Sequence, residues 1–371
     1  MKKIITLVIA CMLYTAFAMA QTSDHFGLSN VAVHGDAEFT WSHTKNADNF
    51  GDVNFKPIFL WKLSDKLFIE SEVEIETGGG GVDIGLEYAN MCYIVNPYLT
   101  FHAGRFLPKF GAYRGRLAEG FLNRFAGNPV GFGDGGIGAS VETGAGAMGC
   151  LPFGTVKILY DVYVVNGPHL VPDSANGNVV GQFDYEAYTA NNNNKAIGGR
   201  LAILPFSSNN LEIGYSMQTK SKTGDIGTPY ENTSLFMQAI DLNYYKVISP
   251  LKSTLRLTGE YRAQKVGNNT VYYGDAFHSD SMSFKFNNSP SCFYVSASIR
   301  PTMSDNKFLH NLEIAYRYSS FMQPAAWGPT SITCNEIALD YWLKWNCVMK
   351  VGYQKRSDSI DNYYAQFVYG F

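Results

Sequence analysis

Apolar and polar residues alternate along most of this chain. Val31, Val33, Ala37, Phe39 and Trp41 are interleaved with His34, Asp36, Glu38, Thr40 and Ser42. Phe55, Pro57, Phe59, Trp61 and Leu63 follow, and after a turn at Ser64-Asp65 come Leu67, Ile69, Val73 and Ile75. The intervening positions of that third segment are Glu70, Glu72, Glu74 and Glu76. A period of two predicts strands with unlike faces. Four carboxylates on one strand face cannot line a packed core, so that face is expected in water and the other against something apolar.

Sixteen such segments are predicted, at about 29–45, 51–63, 67–76, 82–95, 98–107, 136–149, 155–166, 196–204, 211–222, 233–245, 253–264, 292–301, 309–319, 331–343, 346–356 and 363–371. Many reach the ~9–11 residues of a tilted membrane strand, beyond the ~5–6 of ordinary strands. Connections after segments two, four, six and eight are short. Those after five, seven and eleven (108–135, 167–195 and 265–291) are long and polar. That sorting predicts an all-β fold: a transmembrane antiparallel up-and-down β-barrel of about 16 strands, with short periplasmic turns and longer external loops. Trp41, Trp61, Tyr160, Tyr215, Tyr244, Tyr261, Tyr318 and Tyr341 sit near segment ends with outward parity, as aromatic belts would.

Both chain ends fit that reading. Lys2-Lys3, an apolar run from Ile4 to Ala18 and Ala18-Met19-Ala20 predict a secretory signal peptide over 1–20, leaving 21–371 as the barrel. A lipoprotein cut before Cys11 is the competing reading. The last segment carries Tyr363, Ala365, Phe367, Tyr369 and Phe371 on one face. A terminal aromatic there resembles the signal read by the outer-membrane barrel assembly machinery, so Phe367, Tyr369 and Phe371 are assigned to assembly. The expected location is a Gram-negative-type outer membrane.

Composition narrows the function. Net charge is -3 and mean hydropathy -0.11, with 25 Phe and 24 Tyr among 371 residues. The charge gives no footprint for nucleic acid, and the hydropathy is too low for a bundle of membrane helices. Five cysteines beyond the leader, without a C-x-x-C pair, predict neither a disulfide framework nor a zinc site. Gly133-Asp134-Gly135-Gly136-Ile137-Gly138 matches a dinucleotide fingerprint, but a strand pattern follows it where a helix is needed. No G-x-S-x-G or H-E-x-x-H occurs, and His102, His169 and His278 are the only bases worth testing for a rim nucleophile. No enzyme activity, cofactor or metal is expected.

Inward parity leaves two charge sets. Glu70, Glu72, Glu74, Glu76, Asp83 and Glu87 form an acidic wall on segments three and four, extending Asp36 and Glu38. Arg200, Arg256, Arg262, Arg300 and Arg317 lie on segments eight to thirteen, against Glu212, Glu260 and Glu313. The connection 108–135 adds Lys109, Arg114, Arg116 and Arg124, along with Phe110, Leu117, Phe121, Leu122 and Phe125. A loop of that length with its own apolar residues is expected to fold inward and constrict the lumen. Its arginines would then sit where charge is screened least and favour anions.

Residues 98–216 resemble the phosphate-selective porin O and P family and its uncharacterised outer-membrane relatives. The resemblance rests on Gly104-Arg105-Phe106-Leu107-Pro108-Lys109-Phe110-Gly111, Leu122-Asn123-Arg124, Val164-Val165-Asn166-Gly167, Gly198-Gly199-Arg200 and Leu211-Glu212-Ile213-Gly214-Tyr215. It implies a sixteen-stranded homotrimeric channel in outer-membrane lipid whose third loop constricts the pore and, in the named members, carries a basic site for anions. Arg114, Arg116 and Arg124 lie in the matching loop, whereas the acidic wall departs from a purely anion-drawing lumen. The expected partners are small hydrophilic solutes or ions. The alternatives are an outer-membrane barrel hydrolase and a plugged binding or structural barrel.

Overall fold

The computed structural model describes residues 30–371 apart from 79–80, 134–135, 139–140, 172–181, 187, 229, 268–270, 274–282, 286–288 and 324–330. The expected signal peptide, Asp134 and His278 lie outside the described residues. The first strands are β1 (Val31–Thr44), β2 (Ala47–Lys62), β3 (Leu67–Gly78), β4 (Gly81–Asn96) and β5 (Leu99–Phe106). After the segment 107–141 come β6 (Glu142–Phe153), β7 (Val156–Val165), the short pair β8 (His169–Val171) and β9 (Gln182–Asp184), β10 (Ala196–Leu204) and β11 (Leu211–Lys220). Then follow β12 (Ser234–Ile248), β13 (Ser253–Gly267), the short pair β14 (Val271–Tyr273) and β15 (Ser283–Lys285), and β16 (Ser291–Arg300). The chain ends with β17 (Leu312–Met322), β18 (Ser331–Lys344), β19 (Cys347–Arg356) and β20 (Asn362–Gly370).

Sixteen of these strands, all but the two short pairs, form one closed barrel in which each pairs antiparallel with its neighbours. Closure runs from Asp36 opposite Gly370 to Thr44 opposite Asn362. It is completed by mutual backbone bonds between Gly35 and Phe371, at 3.1 and 2.9 Å. Every predicted segment is a barrel strand. The sixth begins at Glu142, later than expected, because Gly136 and Ile137 bond back to Gly133 and Gly131 and belong to the loop.

The alternation is resolved as expected. Phe59, Trp61, Leu201, Val295, Ile337 and Val351 stand exposed on the outer face, where hydrocarbon would cover them. On β4 the alternation changes phase. Glu72 lies opposite Tyr88 and Val73 opposite Leu86, so Glu87 is an extra residue in a bulge. The switch from Val82, Ile84 and Leu86 to Met91 and Tyr93 on the outer face is its sequence trace.

The packed core sits inside the barrel, between its wall and segment 107–141. Tyr113, Val130, Phe132 and Ile137 of the segment pack on Cys292, Tyr294, Phe321, Ile332 and Cys334 of β16–β18. Phe110 joins Leu235, Met237 and Ala239 of β12, together with Leu170 and Phe183 of the β8–β9 hairpin. Phe125 lies against Ala315 and Ala338, and Phe121 against Trp342, Val348 and Val368. Small inward residues leave room for the loop. Conversely, Gly111 (φ 73°) runs so close to Glu260, and Gly131 (φ 83°) so close to Cys292 and Phe321, that a side chain at either would collide.

Candidate functional site: a barrel lumen crossed by its own loop

Segment 107–141 leaves β5, crosses the lumen and returns along the far wall to β6. Each leg is pinned by groups that the strand parity turns inward. The Gly111 N–H donates to Ser216 Oγ at 2.9 Å, and the Ala112 and Tyr113 N–H groups both donate to Glu260 Oε2 at 2.8 Å. The Gly120 N–H reaches Asp36 Oδ2 at 2.9 Å, while Lys350 Nζ donates to the Gly120 carbonyl at 2.7 Å. On the return leg, Arg317 donates to the Gly127 carbonyl at 2.7 Å and Arg262 to the Ile137 carbonyl at 2.7 Å. Buried backbone groups need such partners, and the inward polar residues supply them.

The predicted loop cations are not loose in the lumen. Arg114 pairs with Glu87 at 2.6 Å, Arg116 pairs with Glu212, and Arg124 reaches Glu313 at 3.2 Å. Lys109 lies further out, 3.9 Å from Asp161. Outside the strands, Glu119 also feels the wall. Burial pushes its carboxyl above the usual range, with Glu38 and Glu74 reinforcing the shift and Lys56 and Arg114 opposing it.

The predicted wall residues divide into three groups. Arg200, Arg262 and Arg317 are buried, paired with Asp241 (2.5 Å), Glu260 (2.6 Å) and Glu336 (2.6 Å), and the last two also hold the loop. On the acidic side, Glu72 is only 4% exposed and Asp36 only 1%. Glu74 holds Lys56 at 2.5 Å, and Glu70 accepts from the Tyr88 hydroxyl at 3.3 Å. This face was expected in water; instead the loop lies against part of it. Glu76 and Asp83 sit opposite each other on β3 and β4, both exposed. Arg256 and Arg300 form the third group and line a cavity of about 740 Å³ with Arg124, Glu313 and Trp342. A smaller cavity of about 230 Å³ is lined by Glu70, Tyr88, His102, Lys109, Asp161 and Arg200.

Around the ring, β3 and β13 are eight strands apart of sixteen, so the acidic wall lies opposite Arg256, which has no ion pair among the described residues. That arrangement sets a transverse field across a confined space. The terminal aromatics take other positions: Phe367 (41% exposed) and Tyr369 (43%) are on the outer face, and Phe371 stacks on Phe55 at 5.4 Å.

The enzyme alternative gains little from the histidines. His102 is buried, 3.9 Å from Asp161, and among the described residues no partner bonds either ring nitrogen. His169 accepts the Asn191 N–H at 3.3 Å. The sequence reading missed Lys350, Trp342 and Glu336. Each has inward parity, and parity alone could have placed them in the lumen.

No protein-family model matches the sequence, and no curated protein matches it. Solved structures do. The outer membrane channel DcaP of Acinetobacter baumannii superposes with TM-score 0.56 at 12% identity, covering 94% of this chain and 100% of that one. OmpF of Salmonella typhi, in complex with daunomycin, gives 0.56 at 12% identity over 92% of this chain and 97% of the other. An anion-selective porin from Comamonas acidovorans gives 0.50 at 12% identity, over 92% and 99%. The fold of this chain is that of the outer-membrane porins.

Proposed function

We propose that the protein is an outer-membrane porin, a passive diffusion channel for small hydrophilic solutes with a mild preference for anions, and not an enzyme. The observation that carries this reading is the path of segment 107–141. It lies inside a closed barrel, pinned to the wall by charged groups, and leaves cavities of about 740 and 230 Å³ around it, each with charged side chains in its lining. A constriction built in this way limits solute size, and the opposed charges act on whatever passes. Assembly as a homotrimer, kinship with the phosphate-selective porins and insertion by the assembly machinery rest on the motifs within 98–216 and on the closing strand.

Conductance of the purified protein in planar bilayers tests the reading. Discrete ion-current steps are expected, and a folded barrel without them would favour the plugged alternative. Selectivity has its own test. Replacing Arg114, Arg116 and Arg124 with alanine removes three cations from the constriction and leaves Glu87 and Glu313 without their ion-pair partners, while Glu212 keeps Arg200 at 2.9 Å. The reversal potential in a salt gradient should then move toward cation preference, and a wild-type value would count against the loop's role.

A further inference from the structure

The cavity of about 740 Å³ carries more positive charge than its own carboxylates neutralise. Five arginines line it: Arg116, Arg124, Arg256, Arg300 and Arg317. Arg116 and Arg317 are paired outside it, with Glu212 and Glu336. The one lining carboxylate, Glu313, already has three donors. It accepts from Ser298 at 2.5 Å and Arg124 at 3.2 Å on Oε1, and from the Trp342 indole N–H at 2.8 Å on Oε2. Arg256 and Arg300 therefore face the cavity without an ion pair among the described residues, and Arg256 is exposed.

Their placement suits recognition. Arg300 is opposite Thr254 and Arg256 opposite Ser298, so the two are diagonal neighbours on paired strands, with Cα atoms ~7–8 Å apart. Arg300 donates to the His310 carbonyl at 2.9 Å and lies 5.3 Å from the Trp342 ring centroid, which fixes its guanidinium while leaving donors free. Arg300, so held, and the exposed Arg256 beside it can take one oxyanion between them. Beside them lie two hydroxyl pairs, Thr254 with Thr302 at 2.7 Å and Thr258 with Ser296 at 2.6 Å. Trp345, 80% exposed, also lines the cavity and offers a flat apolar ring. The volume falls within the ~300–1,000 Å³ of small-molecule sites and far exceeds one inorganic ion. Charge, hydroxyls and an exposed indole together match a sugar ring bearing an anionic group.

We propose that this cavity is a binding station for an anionic monosaccharide, phosphorylated or carboxylated, held by Arg256 and Arg300 and packed against Trp345. The station lies at the end of the barrel where both barrel termini and the turns 249–252 and 345–346 meet, the periplasmic end of an up-and-down barrel. A solute that has passed the loop would dwell there before release. The station deepens the channel reading and rests on it for the solute's route.

Titration calorimetry on the detergent-solubilised full chain tests the site independently of conduction. Glucose 6-phosphate or glucuronate should bind at least tenfold tighter than glucose and than inorganic phosphate. Arg256→Gln with Arg300→Gln should weaken that binding at least tenfold, and Trp345→Ala should weaken the sugar compounds while sparing phosphate. Arg256→Gln alone, at an exposed side chain, provides the same comparison if the double variant fails to fold. Equal affinity for inorganic phosphate, no binding, or wild-type binding by the arginine variants would overturn the proposal. Bilayer recordings on the same preparation separate the two ideas. Current without binding keeps the channel and removes the station; binding without current keeps the station and removes the channel.

Discussion

Glu119 is a loop residue whose charge is costly where it sits. Burial, with Glu38 and Glu74 reinforcing it, holds its carboxyl above the ordinary glutamate range. A carboxyl raised on folding opposes the folded state above its folded pKa, and this cost disappears as pH falls through that value toward the unfolded ~4.3. Glu119→Gln should therefore raise the heat-modifiability midpoint at pH 7, with the difference from wild type shrinking as pH falls toward that range. A constant difference would refute the linkage. Glu260 makes the opposite case. Replacing it with alanine strips both the Ala112 and Tyr113 N–H groups of their acceptor, at ~1–3 kcal/mol for each group left unpaired. Limited proteolysis within 107–141 should then become faster. Much of this site was visible one residue at a time, since parity alone turned the Glu70–Glu76 stripe and the five wall arginines inward. What parity could not give was the partner. Arg116 with Glu212 and Arg124 with Glu313 join residues 96 and 189 positions apart, and no local pattern encodes such distances.

The strands were legible because an apolar outer face and a polar inner face impose a strict period of two, and a slip by one residue would reverse it. Arg256 and Leu257 test this directly, since they are adjacent on β13 and face opposite ways. In a background lacking half-buried Cys150, a cysteine at 256 should react with a water-soluble thiol reagent and one at 257 should not. Equal labelling would contradict the lumen assignment. The Glu72 position, although inward, is a poor probe because the loop covers it. The loops were harder to read. The β8–β9 and β14–β15 hairpins have three residues per strand, too short for alternation to register, and the β4 bulge appears only as a phase change. β20 is the strand that closes the ring, so its end should matter for assembly. Deleting Phe371 removes the stacking on Phe55 and the bonds to Gly35, and should leave more unfolded, heat-unmodifiable chain in the periplasm. An unchanged insertion yield would count against that role.

For the whole molecule, the decisive feature is that a barrel wide enough for an aqueous lumen contains its core on the inside, between wall and loop. The loop lies inside the barrel, and it reaches both the acidic and the basic walls, so its path and the placement of charge are one structure. Its excess charge lies with Arg256 and Arg300 rather than with the loop arginines, each of which has a wall carboxylate. The central claim is that segment 107–141 sets the bore of a water-filled channel. Single-channel recording in planar bilayers should compare the wild-type protein with a variant in which residues 112–137 are replaced by a short Gly/Ser linker, both first shown to be heat-modifiable barrels. Discrete conductance steps are expected for the wild type, and clearly larger steps with weakened ion selectivity for the shortened loop. Steps of equal size in the two proteins, or no conductance from either folded barrel, would contradict that claim.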